Sequence, residues 1–534
     1  LTKLQNLKRK NLKDNMAKHL KTILRDIPVN PVSDVPRVLL HGISADSRQV
    51  QPGFAFVAIK GDNVDGNRFI PDAIENGARL IVSEHPKPHD LNIAWLQLEG
   101  DLRAALAHMA AALHGFPARK LRVIGVTGTD GKTTTSSMIH HLLTKAGIKA
   151  GMITTVNALI GDQTLDTGFH VTTPDSPDIQ GYMRMMVEAG MTHCVLECTS
   201  HGMAQGRVIA ADIDIAVITN ITHEHLDYHG SLEAYVKAKG MLVEALALTP
   251  RKRIGNPRLA VLNKDDEHYS YTKRLAPGKL ITYSRLNQAD IWADEIDNKP
   301  EQLRFTGHIG KHSFKVQSPM IGLFNVSNVL AALGATVLGL GLDAKQAAKD
   351  IGSLPPVPGR MEVIQMGQNF TAIVDFAHTP NALERSLETI RLMSPGKLIT
   401  VYGSAGLRDR EKRRMMPKVS IKGADISILT AEDPRTESLD AILEDMAQAA
   451  IEAGGVEGRD FFRVPDRGDA IRKAIELAQP GDTIVAQGKG HEQSMCFIDT
   501  EYLWDDRTAM RAALAEHLGI EGPKMPYLPT SKQS

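Results

Sequence analysis

Residues 121–137 read "LRVIGVTGTDGKTTTSS". An apolar run of strand character enters a turn with two glycines, and the turn opens onto a segment of helical pattern. Glycines let backbone amides converge on phosphate oxygens, a lysine at the helix start meets the β- and γ-phosphates, and a threonine hydroxyl is suited to Mg2+. Gly128, Gly131, Lys132 and Thr133 stand in that order. The usual spacing puts a further glycine at position 126, where this chain has Val126, so the motif is a shortened variant, TGTxGKT. A glycine turn between strand and helix is common and says little by itself. The GKT triplet decides for a nucleotide cradle.

Outward from the cradle, "THCVLEC", "IDIAVITN" and "PRLAVLN" read as further buried strands with helical patterns between them. Strand and helix in alternation predict βαβ units and a mainly parallel sheet. Upstream, "VLLHGISADSRQVQPGFAFVAIKG" from Val38, the helical "FIPDAIENGA" and the strand "RLIVSE" form a smaller α/β unit that ends near "LHGFPARK". Downstream, the prolines of "SLPPVPGR" (353–360) break any element and mark a linker. Beyond it, "TAIVDFA", "KLITVYG", "ADISILTA" and "DTIVAQG" resume the alternation. The expectation is an α/β protein of three domains: 16–118, a central P-loop-type domain at 119–354, and a Rossmann-like domain at 355–534, after a basic arm at 1–15.

The 534 residues carry 62 Lys plus Arg and 62 Asp plus Glu, a formal net charge of zero. That balance argues against a general binder of nucleic acid or anionic membrane. Cys194, Cys198 and Cys496 form no CxxC pair, and an odd number suits a reducing compartment. The run "VLAALGATVLGLGL" from Val329 is broken by glycines and too short to span a bilayer. The opening "LTKLQNLKRKNLKDN" is basic without a following apolar core, and "MAKHL" at Met16 reads as a natural start. A cytoplasmic, monomeric protein without stable membrane insertion is expected.

Two later strand ends matter because ligands of parallel sheets gather at carboxyl ends. "VLECTSHGMAQGRV" puts Glu197 there, and "ITNITHEHLDYHG" puts Asn220, His225 and Asp227 there. "HEHLDYH" alone resembles a zinc site, but it lacks HExxH, and the cysteines are not spaced to help.

Taken in order, TGTxGKT, the "ECTSH" stretch and "NITHEHLDYHG" resemble the Mur ligase family of ATP-dependent, amide-forming enzymes. "DSRQVQPGFAFVAIKG", "TTPDSPDIQ", "GLFNVSNVLAA", "PGRMEVI", "VDFAHTPNALE", "RDREKRRMM" and "GKGHE" extend the likeness to the branch that adds a diamino acid. Only the first dozen or so residues and the tail "GIEGPKMPYLPTSKQS" lie outside it. The resemblance implies ATP, UDP-N-acetylmuramoyl-L-alanyl-D-glutamate and a diamino acid as substrates, with Mg2+. Thr127, Gly128, Thr129, Asp130, Gly131, Lys132, Thr133, Thr134, Asn325, Arg360, Asp375 and His378 would contact ATP. Ser47, Asp62, Asn63, Val64, Thr172, Thr173, Thr199, Gln205 and Arg207 would contact the UDP-linked substrate. Arg408, Glu432, Asp433, Pro434, Arg435, Gly488 and Glu492 would contact the amino acid. Lys132, His225 and Lys239 would be catalytic. Thr133, Glu197, His225 and Lys239, the last as a carbamate, would hold metal.

The chain departs from the family pattern in three places. Asp130 stands where many relatives carry Asn, and its negative charge beside ATP requires it to point away or face metal. Glu411 stands where glycine is usual, with Leu407 before Arg408. "EDPR" (432–435) stands where diaminopimelate-adding enzymes read DNPR. Arg435 offers a planar fork for a distal carboxylate and favours meso-2,6-diaminopimelate; Asp433 adds negative charge and tilts toward the cationic tip of lysine or ornithine. Folylpolyglutamate synthase and the D-alanyl-D-alanine-adding ligase would share the cradle, but not "EDPR" together with "GKGHE". A non-catalytic nucleotide-binding regulator would be expected to lose Lys132, Glu197, His225 or Lys239, and all four are present.

Overall fold

The computed structural model describes residues 17–61, 64–166, 172–222, 226–299, 302–320 and 322–531. Among these, the three main sheets each fall within one of the three expected stretches of chain.

The first sheet has five strands in the order Asn30–Pro31, Ala94–Glu99, Leu80–Ser83, Phe54–Val57, Gly42–Ser44. Only the Asn30–Pro31 pairing is antiparallel. Ala55, Val57, Leu80, Val82 and Leu96 are buried together with Leu106, Met109 and Leu113 of the helix Leu102–Leu113.

The central sheet has eleven strands, and the cradle strand Arg122–Thr127 sits inside it. It lies between His193–Glu197 and Ile215–Ile218, both parallel to it, with Glu197 opposite Val126 and Ile218 opposite Thr127. That register sets Glu197 and the turn after Ile218 beside the cradle, at the carboxyl edge where the chain reverses its direction of winding. The far edge is an antiparallel extension, Ile291–Lys299, Gln302–Ile309 and His312–Ser318. A search for continuous apolar runs passes over it. "HSFKVQS" instead alternates exposed and buried positions, as a strand with one wet face does.

The third sheet orders Glu362–Ile364, Thr371–Asp375, Thr483–Gln487, Leu398–Tyr402, Ile426–Leu429, Phe461–Arg463, and is parallel apart from its first strand. The linker enters it at Gly359. This residue has φ 63°, and an added Cβ would lie 2.2 Å from both Gly490 C and His491 N, so the two backbones touch there. The C-terminal tail is docked: Leu528 is fully buried, and Thr530 and Ser531 donate to Asp466 Oδ2 at 2.8 and 2.9 Å.

Candidate active site

The cradle holds its shape through close approach. Gly128 has φ 151° and Gly131 φ 78°; a Cβ on the first would lie 1.8 Å from Thr219 Oγ1, and on the second 2.3 Å from Asn328 Oδ1. Only glycine allows neighbouring strand and helix to support the turn this tightly. Helix Lys132–Lys145 starts at the turn, so its free amides face the phosphate position. Lys132 Nζ donates to Thr129 O at 2.7 Å, folded over the cradle. Thr133 Oγ1 donates to both Glu197 carboxylate oxygens at 3.1 Å, and both residues are buried.

Two lysines stand close together on one helix, and only Lys239 is buried. On the helix Leu232–Leu248, Lys237 is exposed, whereas Lys239 is 1% exposed. Lys239 Nζ donates to Gly128 O at 2.6 Å and lies 4.5 Å from the centre of the Tyr235 ring. Tyr235 in turn shares a 3.0 Å hydrogen bond with Thr129 Oγ1.

Arg360 crosses from the linker to the cradle. Its Nη2 donates to Thr133 Oγ1 at 3.3 Å, and its guanidinium lies 4.2 Å above the Phe376 ring. His491 stacks on Phe376 at 4.5 Å and is 4% exposed. Burial, and then the Arg360 charge, push its imidazole well below the usual histidine range, so it is neutral.

A continuous cavity of about 550 Å³ runs from the cradle to the 432–435 loop. Thr129, Asp130, Gly131, Lys132, Glu197 and Lys239 line one end, and Arg408, Glu432, Asp433, Arg435, Gly488 and Glu492 the other. Thr172, Thr199, Gln205, Arg207, Arg360 and His378 lie on its walls. Thr199 caps the helix Ser200–Ala204 and bonds Thr172 Oγ1 at 2.7 Å; Arg207 donates to Thr173 O at 2.8 Å and to Gln205 Oε1 at 3.0 Å.

Other expected residues stand off the cavity. Thr127, Gly128, Thr133 and Thr134 back the cradle. Asn325 is 1% exposed behind it and accepts from Asn328 Nδ2 at 3.0 Å. Asp375 accepts from Met361 N at 3.1 Å and Ser386 Oγ at 2.8 Å, an internal brace. Pro434 lies within the 432–435 loop but not on the wall. Ser47 and Val64 belong to the first sheet's unit, where Ser47 is buried and Val64 is 47% exposed. Asp62, Asn63 and His225 lie outside the described residues, as does the arm at 1–15.

Asp130, Asp433 and Glu411 acquire physical reasons. Asp130 faces a cation: its Oδ2 lies 3.6 Å from Arg385 Nη1, a residue that no motif marks. Asp433 does not add a bare negative charge to the cavity. Its Oδ1 accepts from Lys489 Nζ at 3.0 Å and from Cys496 N at 2.9 Å, and Lys489 also binds Glu492. Lys489 is 1% exposed; burial pulls its ammonium down, but the Glu492 and Asp433 carboxylates outweigh it and the net direction is up. Motif reading gives this lysine of "GKGHE" no role, although the motif itself contains it. Of Glu432, Asp433 and Glu492, this leaves Glu432 outside the Lys489 pairing, and its Oε2 is buried without a hydrogen bond. Burial pushes the Glu432 carboxyl up to about 7, against the pull of Lys412, Arg467 and Lys489. Arg435 has φ 53°, and its Nη1 donates to Gly406 O at 3.0 Å. Asp409 caps the helix Arg410–Gly423 by accepting from Glu411 N at 2.8 Å, so Glu411 occupies an ordinary first-turn position.

Fold and site together define a nucleotide-using enzyme with its substrate cavity between a cradle domain and a Rossmann-like domain. The chain matches the Mur ligase family catalytic domain over residues 39–114, the Mur ligase middle domain over 126–336, and the Mur ligase glutamate ligase domain over 359–490. It is 39% identical over 497 residues to the UDP-N-acetylmuramoyl-L-alanyl-D-glutamate–2,6-diaminopimelate ligase of Geobacillus thermodenitrificans, covering 93% of this chain and 99% of the relative. It is 41% identical over 480 residues to the UDP-N-acetylmuramyl-tripeptide synthetase of Deinococcus radiodurans, covering 89% and 94%. A solved UDP-N-acetylmuramoyl-L-alanyl-D-glutamate–2,6-diaminopimelate ligase superposes with a TM-score of 0.63 at 32% identity, covering 94% of this chain and all of that one. The chain belongs to the Mur ligase family and is an ATP-dependent ligase.

Proposed function

We propose that this ligase joins meso-2,6-diaminopimelate to UDP-N-acetylmuramoyl-L-alanyl-D-glutamate at the expense of ATP, a step of peptidoglycan synthesis in the cytoplasm. The observation that carries the reading is the continuous cavity joining the cradle to Glu432 and Arg435. The name of the Geobacillus thermodenitrificans relative, 39% identical, supports the substrate pair. L-Lysine or L-ornithine is the second reading, because Glu432 satisfies an ammonium whether or not a carboxylate lies beside it. Boundaries at 16–118, 119–354 and 355–534 are proposed to divide the nucleotide-sugar, ATP and amino-acid roles.

A free carboxylate is a poor electrophile, and transfer of the γ-phosphoryl group to it supplies a leaving group. The amine of the incoming amino acid then attacks the acyl phosphate and phosphate departs. Positioning and charge stabilisation carry such chemistry. Lys132 is released from Thr129 O to meet the transferring phosphoryl oxygens. Arg360, held against Phe376, adds a second cation at the Thr133 end. Thr172, Thr199 and Arg207 orient the substrate carboxylate toward the cradle.

Glu197 on the cavity wall and Thr133 hydrogen-bonded behind it offer two oxygen ligands, and this donor set suits Mg2+, which favours few protein oxygens with phosphate and water for the rest. When bound, Mg2+ would neutralise phosphate charge. Lys239 as a carbamate would keep one N–H for Gly128 O while presenting two anionic oxygens, and His225 would complete the set.

The test is release of ADP and phosphate by purified protein that depends on both the UDP-linked dipeptide and an amino acid, across diaminopimelate, lysine and ornithine. Turnover with diaminopimelate well above the others is expected. A clear preference for lysine or ornithine would replace the first reading by the second.

A further inference from the structure

The cradle carries an acid where it has to accept a polyphosphate. Asp130 lies between Thr129 and Gly131 and lines the cavity. Its main chain is fixed: Asp130 N donates to Asn220 Oδ1 at 3.0 Å, and Asp130 O accepts from Thr219 Oγ1 at 2.6 Å and from Asn220 Nδ2 at 3.3 Å. The carboxylate therefore cannot leave by a backbone shift without dismantling the turn.

The cation paired with it comes from the other side of the cavity. Arg385 sits on the helix Pro380–Arg391, whose first residues, Pro380, Asn381 and Ala382, line the cavity facing the cradle. Its Nη1 lies 3.6 Å from Asp130 Oδ2, with the two side chains 42% and 30% exposed. Arg360 also feels the Asp130 charge, but Asp375 and Glu197 act on it more strongly, and its guanidinium is committed to Thr133 and the Phe376 face.

We propose that Arg385 is a positioning residue for ATP that acts through Asp130. Its guanidinium offsets the cradle carboxylate, so nucleotide binding depends on Arg385 only because position 130 is an acid. This rests on the reading of the cradle as the ATP site. Without Arg385, the phosphates meet a like charge less offset by positive charge; at a half-exposed site such a term is moderate and falls with salt.

The experiment is a double-mutant cycle on the full chain: wild type, R385A, D130N and D130N/R385A, with R385K as the charge-preserving control. The readouts are calorimetric affinity for Mg–ADP and the KM for ATP alongside kcat, and melting temperatures check that each variant is folded. R385A is expected to weaken ADP binding and raise the ATP KM roughly threefold to tenfold with little change in kcat. In the D130N background the same substitution should change either value by less than about twofold, and R385K should retain most of the affinity. An equal loss in both backgrounds would make Arg385 a direct nucleotide contact and overturn the proposal, as would no loss when R385A is made alone. Wild-type protein that binds no Mg–ADP is a separate failure, that of the ATP reading itself.

Discussion

Lys489 is held by Asp433 and Glu492 at the far end of the cavity from the cradle, with its ammonium 3.0 Å from Asp433 Oδ1. One buried cation thus occupies two acids, leaving Glu432 to meet a cationic substrate group. Lys489→Met should expose both acids uncompensated. A loss of about 3–5 kcal/mol in stability is expected, as for any broken buried pair. The surviving enzyme should shift its kcat/KM ratio toward lysine over diaminopimelate, and D433N in the same chain should partly restore both properties. Chemical denaturation and the two-substrate ratio check this; an unchanged ratio would mean that these acids do not face the amino acid.

Glu432 makes stability and binding depend on pH in opposite senses. A carboxyl whose folded value, about 7, lies above its ordinary 4.5 favours the fold while protonated. That contribution is complete below about 4.5 and is lost as pH rises through about 7, an amount of ~3 kcal/mol for the whole interval. E432Q should abolish this part of the stability profile in denaturation series between pH 5 and 8. Ionised Glu432 is the form that accepts an ammonium, so the KM for the amino acid should rise as pH falls below about 7 in the wild type. A KM flat across that range would remove Glu432 from the amino-acid site.

Lys132→Ala removes a charge aimed at transferring phosphoryl oxygens and leaves the core untouched. Turnover should fall roughly a hundredfold or more with the melting temperature within a few degrees of wild type. Near-normal activity in the folded variant would defeat the assignment.

Lys239→Ala should be nearly inactive, and short carboxylic acids should restore part of the activity by standing where carbamate oxygens would stand. Intact-protein mass under CO₂-equilibrated conditions gives an independent reading. Absence of the added mass in fully active enzyme would leave Lys239 as a support for Gly128 alone.

The cradle and Glu197 were legible because their signals are local: strand, glycine turn, helix and strand end each announce themselves within a few residues. That Lys239 is buried while Lys237 is exposed is set by the helix's packing and is not visible in the residue types themselves. What stayed hidden are charges answered from afar. Asp130 meets Arg385, and Asp433 meets Lys489, across sequence gaps that no spacing rule covers. Read without its partner, Asp130 suggested a charge that must turn away or face metal, and Asp433 a bare acid for a cationic tip. Asn325 and Asp375, marked by motif membership, each also hold an internal hydrogen bond that no motif foretells.

Gly359 fixes where the molecule is able to bend. With its backbone pressed on Gly490 and His491, it travels as part of the C-terminal body, and so does Arg360 immediately after it. A pivot between that body and the central one therefore falls upstream, in residues 353–358, where the prolines restrict the number of rotatable bonds. In such a motion Arg360 and Arg385 would travel with the C-terminal body, while their partners Thr133 and Asp130 belong to the central one. A swing about that pivot would strip both guanidinium groups from the cradle in one motion, so product departure and loss of positive charge around the phosphates become the same mechanical event.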